Sequence, residues 1–76
     1  MKNIGDILRK TREEKGYYLV DMQRETKLQQ RYLSALENNQ LDSLPGDIYY
    51  DSFVRQYAQA LGLDGDDLLA DREAQL

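Results

Sequence analysis

Hydrophobic residues recur every three or four positions along this chain, which is the period of an amphipathic α-helix. The pattern predicts helices at residues 4–15, 19–25, 29–37, 47–61 and from 64 onward. Asn3 and Asp64 are good N-caps, and Gly16 and Gly62 can adopt the left-handed conformation that ends a helix. The sequence therefore predicts a compact all-α fold of five helices.

The fourth predicted helix carries more apolar surface than one core contact requires. At 100° per residue its apolar residues span about 180°, whereas a helix on the surface of a small domain needs an apolar stripe of about 100°. The aliphatic-rich half is predicted to face the core and consists of Tyr50, Val54, Ala58 and Leu61. The other half is predicted to stay accessible to a partner and consists of Tyr49, Phe53, Tyr57 and Ala60.

Length and composition indicate one small folded domain. The chain has 76 residues, of which 41% are hydrophobic and 32% charged, a balance typical of folded proteins and not of disordered ones. A core of this size leaves little room for a large active-site cavity. We assign residues 1–70 to the domain and residues 71–76 to the start of a linker.

No group of residues predicts catalysis. The sequence contains no Cys and no His, so it lacks the usual zinc ligands and an imidazole base. The carboxylates of Asp64, Asp66 and Asp67 do not continue with the spacing of an EF-hand loop, and helix capping explains them better. We therefore expect a protein that is not an enzyme and that needs no metal, cofactor or small-molecule ligand.

The second and third predicted helices, joined at Thr26–Lys27, match a helix-turn-helix motif. In such a motif the second helix presents its outer side chains to the DNA major groove, where Gln, Arg and Ser can read base edges. Those side chains would be Gln29, Gln30, Arg31 and Ser34. The same residue types are also common on an ordinary solvated helix surface.

Charge argues against DNA as the main partner. The net charge is −4, with +2 in residues 1–16, zero in residues 17–40 and −6 in residues 41–76. DNA-binding proteins draw much of their affinity from Lys and Arg side chains that neutralise phosphates. The predicted helix-turn-helix has no such surplus of positive charge.

Several short motifs resemble the N-terminal cytoplasmic domain of RodZ, a family of bacterial cell-shape proteins. The resemblance covers about residues 4–69 and is most specific over Leu44–Asp64. Its residues are Ile4-Gly5, Leu8-Arg9, Arg12-Glu13, Gly16, Thr26-Lys27-Leu28, Tyr32-Leu33, Ala35-Leu36-Glu37, Leu44-Pro45-Gly46, Tyr49, Phe53-Val54-Arg55, Tyr57-Ala58 and Leu61-Gly62-Leu63-Asp64.

The resemblance implies a five-helix, lambda-repressor-like (XRE-like) helix-turn-helix domain that binds the actin-like filament protein MreB through its fourth helix. The family's aromatic contacts fall on Phe53 and Tyr57, and we extend the predicted surface to Tyr49 and Arg55. The domain would then be an adaptor at the cytoplasmic face of the bacterial inner membrane, anchored by a segment outside these residues. The alternatives are a sequence-specific DNA-binding regulator and a self-associating domain.

Overall fold

The computed structural model describes residues 3–73, and this part of the chain is all-α, as predicted. A short 3-10 turn, Leu41–Ser43, lies in the connection between the third and fourth helices. The helices are α1 (Ile4–Glu14), α2 (Leu19–Thr26), α3 (Gln30–Glu37), α4 (Tyr49–Ala60) and α5 (Gly65–Glu73).

The helix ends follow the local sequence signals. The backbone N–H of Asp6 donates to Asn3 Oδ1 at 3.1 Å, so Asn3 caps α1 as predicted. The predicted stop residues Gly16 and Gly62 both have left-handed backbones, with φ of 77° and 78°. Helix α4 begins at Tyr49, two residues after the predicted start. Local capping chemistry thus sets most of the boundaries before tertiary packing is considered.

The turn between α2 and α3 is tight although it contains neither Gly nor Pro. Lys27 adopts a left-handed backbone with φ of 66°. The Thr26 hydroxyl donates to the carbonyl oxygen of Met22 at 2.7 Å and accepts the backbone N–H of Leu28 at 3.1 Å. These two bonds stabilise the end of α2 and direct the chain into α3, which completes the predicted helix-turn-helix.

A single hydrophobic core joins the helices. Helix α3 packs against α1, α2 and α4, and α5 packs against α4. Gly5 allows the close approach of α1 to the end of α3, because a Cβ atom there would lie 2.4 Å from the carbonyl oxygen of Glu37. The buried apolar side chains are Ile4, Leu8, Met22, Leu33, Ala35, Leu36, Leu44, Tyr50, Val54, Tyr57, Ala58, Leu61, Leu68 and Leu69.

Helix α5 extends past residue 70, where the domain is predicted to end. Helix α5 continues to Glu73, so the first three residues assigned to a linker are helical. Residues 74–76 lie outside the described part of the chain, and a linker there stays a prediction. Between residues 3 and 73, no helix has the length and apolar character needed to cross a membrane.

Candidate functional site

The core-facing half of α4 is the half that the sequence predicted. Tyr50 is 6% exposed and Leu61 2%, while Val54 and Ala58 are fully buried. These four side chains are spaced four and three residues apart, so they form one stripe along the helix. The stripe anchors α4 to the domain and leaves its neighbouring side for other contacts.

Three aromatic rings lie along that neighbouring side, and we call them the aromatic row: Tyr49 and Phe53 on α4, and Tyr32 on α3. Tyr49 is 43% exposed, and Phe53 and Tyr32 are half-buried against the core. The ring centroids of Tyr49 and Phe53 lie 5.7 Å apart in a stacked arrangement, and those of Phe53 and Tyr32 lie 5.7 Å apart and tilted. The row therefore begins on α4 and ends on α3.

Tyr32 is the member of this row that sequence reasoning missed as a surface residue. On its own helix it belongs to the buried side, beside Leu33 and Leu36. Only the packing of α3 on α4 brings its ring beside Phe53, and no local sequence signal reports that contact.

Arg31 covers the α3 end of the aromatic row. Its guanidinium carbon lies 4.9 Å from the centroid of the Tyr32 ring, within the range of a cation–π interaction. Its Nη2 also donates to the Tyr32 hydroxyl at 3.0 Å. The planar guanidinium is thus held at one edge of an exposed aromatic surface.

Tyr57 is not on the accessible side of α4, and the prediction that its ring faces solvent is wrong. The side chain is fully buried, and its hydroxyl donates to Glu37 Oε2 at the end of α3. A tyrosine can be buried completely when its hydroxyl finds a partner. Glu37 supplies that partner from a different helix, so the pattern of α4 alone did not reveal it.

Arg12, Glu37 and Tyr57 form a largely buried triad that ties α1, α3 and α4 together, with Glu37 and Tyr57 buried and Arg12 half-buried. Arg12 Nε donates to Glu37 Oε2 at 2.7 Å, and Arg12 Nη2 donates to Glu37 Oε1 at 3.1 Å. Arg12 Nη1 also donates to the carbonyl oxygen of Tyr17 at 2.9 Å, which fixes the turn before α2. The Glu37 carboxylate is only 5% exposed, and its two oxygens accept all three of the bonds from Arg12 and Tyr57.

The triad also affects the protonation of Tyr57 and Arg12. Burial, with the Glu37 hydrogen bond as the second cause, raises the pKa of Tyr57 well above its ordinary value. The hydrogen bond to Glu37 raises the pKa of Arg12. The phenol therefore stays neutral and the guanidinium stays charged over the ordinary pH range. Such a group holds helices in place and offers no site for proton transfer to a substrate.

Arg55 points away from the aromatic row. Its Nε donates to Asp66 Oδ1 on α5 at 2.7 Å, and the start of α5 lies so close that a Cβ at Gly65 would be 2.7 Å from the Arg55 Cα. Residues two positions apart on a helix point about 200° apart. Phe53 and Arg55 consequently occupy different sides of α4.

The four residues of the DNA-binding alternative lie together at α3: Gln29 immediately precedes the helix, and the other three belong to it. Gln29, Gln30 and Arg31 are exposed and Ser34 is half-buried. Arg31 is the one cation among them, and its guanidinium is engaged with Tyr32. The arrangement fits the shape of a recognition helix but offers little charge for phosphate contact.

The carboxylate cluster at the start of α5 has the capping role that the sequence predicted. Asp64 Oδ1 accepts the backbone N–H of Asp67 at 3.2 Å, and Asp66 pairs with Arg55. Within residues 3–73, no group of three or more His, Cys, Asp or Glu side chains is arranged to hold a metal ion.

The fold and the connection between α2 and α3 define a helix-turn-helix domain. Residues 7–68 match the helix-turn-helix domain family, and the chain belongs to this family.

Two curated relatives narrow the class. Over 55 residues the chain is 47% identical to the uncharacterized membrane protein YmfM of Bacillus subtilis strain 168, a match that covers 72% of this chain and 19% of YmfM. Over 63 residues it is 40% identical to the cytoskeleton protein RodZ of Streptococcus pneumoniae, covering 83% of this chain and 23% of RodZ. The resemblance to RodZ is thereby confirmed. The chain spans about a fifth of the length of these relatives.

A solved structure shares the whole fold. YmfM of Staphylococcus aureus, described as a candidate DNA-binding membrane protein, superposes with a TM-score of 0.91 at 28% identity. The match covers 99% of this chain and 92% of that one. All five helices therefore belong to a shared architecture, and the function of this chain depends on what its surface presents.

Proposed function

We propose that this domain is a non-catalytic adaptor of a RodZ-like cell-shape protein, and that the exposed edge of its aromatic row binds the actin-like filament protein MreB. The observation that carries the proposal is the stacked pair of Tyr49 and Phe53 on the outer side of α4. The similarity to a protein named for the cytoskeleton supports the kind of partner. In this proposal the domain works at the cytoplasmic face of the bacterial inner membrane.

The exposed end of α4 is suited to protein contact. Ile48 is 84% exposed and Tyr49 43% exposed, so two large apolar side chains meet solvent at adjacent positions. Aromatic residues are enriched among those that dominate binding energy at protein interfaces. Stacking on Phe53 already orders the Tyr49 ring, which lowers the conformational entropy lost when a partner covers it.

Tyr57 contributes from inside the domain. It follows Phe53 by one helical turn, and its bond to Glu37 ties this part of α4 to α3 and, through Arg12, to α1. The triad therefore sets the position from which Phe53 and Tyr49 face a partner. Of the four residues predicted for partner binding, Tyr49 and Phe53 form the proposed contact. Tyr57 supports them from the core, and Arg55 lies on the side of α4 that faces α5.

The test is a titration of the chain against purified MreB with Phe53→Ala and Tyr49→Ala. Truncating a central aromatic anchor costs about 2 kcal/mol or more, so Phe53→Ala should weaken binding by about 30-fold. Gln59→Ala is the matched control, because Gln59 is exposed on the same helix outside the aromatic row. Thermal unfolding of each variant verifies that it is folded. Wild-type affinity in both folded aromatic variants would refute the assignment.

A second candidate function is DNA binding through α3. It is favoured by the helix-turn-helix family and by the description of the Staphylococcus aureus structure. Gln29, Gln30, Arg31 and Ser34 would make the contacts, and affinity should fall steeply with salt. A gel shift with duplex DNA at low salt tests it, with Gln30→Ala as the variant. Absence of any complex at low salt would eliminate this function.

A further inference from the structure

The aromatic row does not stop at the edge of α4. The Tyr32 ring lies 5.7 Å from the Phe53 ring, the same spacing that separates Phe53 from Tyr49. All three rings keep some solvent exposure. A partner that covers Tyr49 and Phe53 therefore lies against α3 as well, at the point where Arg31 is stacked.

Arg31 is held in place but its charge is not balanced locally. The side chain is exposed, and its contacts are the face of the Tyr32 ring and the Tyr32 hydroxyl. The ion pairs among the described residues involve other cations, namely Arg9, Arg12, Arg24 and Arg55. A guanidinium has five N–H donors, and among the described residues Arg31 donates one hydrogen bond, from Nη2 to the Tyr32 hydroxyl.

A partner that covers this guanidinium has to supply acceptors. Covering a cation without a compensating group is costly, whereas a carboxylate can accept two parallel N–H bonds from one guanidinium. Stacking on Tyr32 already fixes the plane of the guanidinium, so little further ordering is needed for such a pair.

We infer that the partner surface extends across Tyr32 onto α3, and that Arg31 receives a carboxylate of the bound filament protein. The inference rests on the proposed function and adds a chemical requirement to it. The partner must present an apolar surface to Tyr49 and Phe53, with an acidic side chain at the border of that surface beside Arg31.

Arg31→Gln tests the inference in titrations of the intact chain against the filament protein at low and at high salt. At low salt we expect a loss of affinity of about 2- to 5-fold, because an ion pair at the border of a covered surface contributes only modestly to binding. The wild-type affinity should fall with added salt more than that of Arg31→Gln, since salt screens the pair. Arg31→Lys should recover only part of the affinity, because Lys keeps the charge but not the planar fork.

Lys10→Gln is the matched control. Lys10 is exposed on α1, and its substitution changes the net charge by the same amount. Equal losses in Lys10→Gln and Arg31→Gln would reduce the effect to general charge attraction and overturn the inference. Wild-type affinity in Arg31→Gln with weak binding in Phe53→Ala would also overturn it while leaving the proposed function intact. Wild-type affinity in both Arg31→Gln and Phe53→Ala would overturn both.

Discussion

The two sides of α4 treat their aromatic residues in opposite ways. Phe53, which has no polar atom, is only half-buried in the aromatic row. Tyr57, one turn further on, carries a hydroxyl and is fully buried in the triad. Hydrophobicity alone would predict the reverse order. Burial of a tyrosine on this helix therefore depends on whether another helix supplies a hydrogen-bond partner, and Glu37 does so for Tyr57.

This contrast separates stability from binding along one helix. The triad joins three helices through bonds among buried groups, so changes there should act on folding. The aromatic row packs against the core on one side and is exposed to solvent on the other, so substitutions there should mainly change the affinity for the partner. Substitutions that change stability without changing affinity, or affinity without changing stability, test whether the two roles are separate.

The largest effect is expected for Glu37→Ala. The substitution leaves the guanidinium of Arg12 and the hydroxyl of Tyr57 without their shared acceptor, and breaking a buried pair on one side costs about 3 kcal/mol. That is close to the whole stability of a small domain. Urea unfolding followed by circular dichroism measures the loss. Glu13→Ala, an exposed change on α1, is the control and should stay within about 0.5 kcal/mol of wild type.

A small loss of stability in Glu37→Ala would contradict the structural role of the triad. If the free energy of unfolding of Glu37→Ala is within about 1 kcal/mol of that of the Glu13→Ala control, the loss is no larger than the cost of one ordinary hydrogen bond. The triad would then not hold the helices together.

Tyr57→Phe should have a moderate effect on stability and little effect on binding. It removes only the hydroxyl, so the ring still fills the core, and the lost bond to a charged acceptor costs about 1.5 kcal/mol. Urea unfolding reports the stability, and titration against the filament protein reports the affinity of the folded variant. Affinity should stay within about 2-fold of wild type, because a change below 0.5 kcal/mol is expected where no contact is lost.

One result with Tyr57→Phe would contradict the separate roles of Tyr57 and Phe53. A variant that keeps the stability of the wild type but binds the filament protein weakly would place the Tyr57 hydroxyl at the partner, and the inner and outer roles of α4 would no longer be distinct.

The smallest effect is expected over the first pH unit above pH 10. The pKa of Tyr57 is raised in the folded state, so above about pH 10 the unfolded chain loses this proton while the folded chain keeps it. The folded state then binds more protons, and the free energy of unfolding falls as pH rises, by up to about 1.4 kcal/mol per pH unit. Below pH 10 this contribution is fully present. Urea unfolding at stepped pH values measures it.

The control for the alkaline prediction is Tyr57→Phe at the same pH values. Because this variant lacks the buried phenol, its stability should decline less steeply above pH 10. Parallel declines in the two proteins would show that Tyr57 does not cause the loss.

Much of the fold could be predicted because its signals are local. The cap at Asn3 and the stops at Gly16 and Gly62 act within a few residues of the helix ends that they set. The core stripe of α4 follows from helical periodicity, which a single helix displays by itself. The start of α4 was predicted two residues too early, because Asp47 and Ile48 form a turn before the first helical residue.

The candidate site could be predicted only in part. The excess of aromatic residues on α4 was visible in the spacing. Tyr49 is exposed and Phe53 is half-buried against the core, and their contact with a partner stays a prediction. Tyr57 was assigned to the wrong side because its partner, Glu37, is 20 residues earlier in the chain. Tyr32 was missed for the same kind of reason, since its neighbour Phe53 belongs to another helix.

Five helices, the caps and stops at Asn3, Gly16, Gly62 and Asp64, and the apolar stripe that anchors α4 follow from the local sequence, because hydrogen bonding and periodicity within one segment suffice for these. The tertiary structure decided which aromatic rings stay exposed. A buried carboxylate at the end of α3 withdrew Tyr57 into the core, and the packing of α3 on α4 added Tyr32 and Arg31 to the outer surface. Those outcomes depend on contacts between helices, where a hydroxyl or a ring is satisfied by a residue distant in the chain.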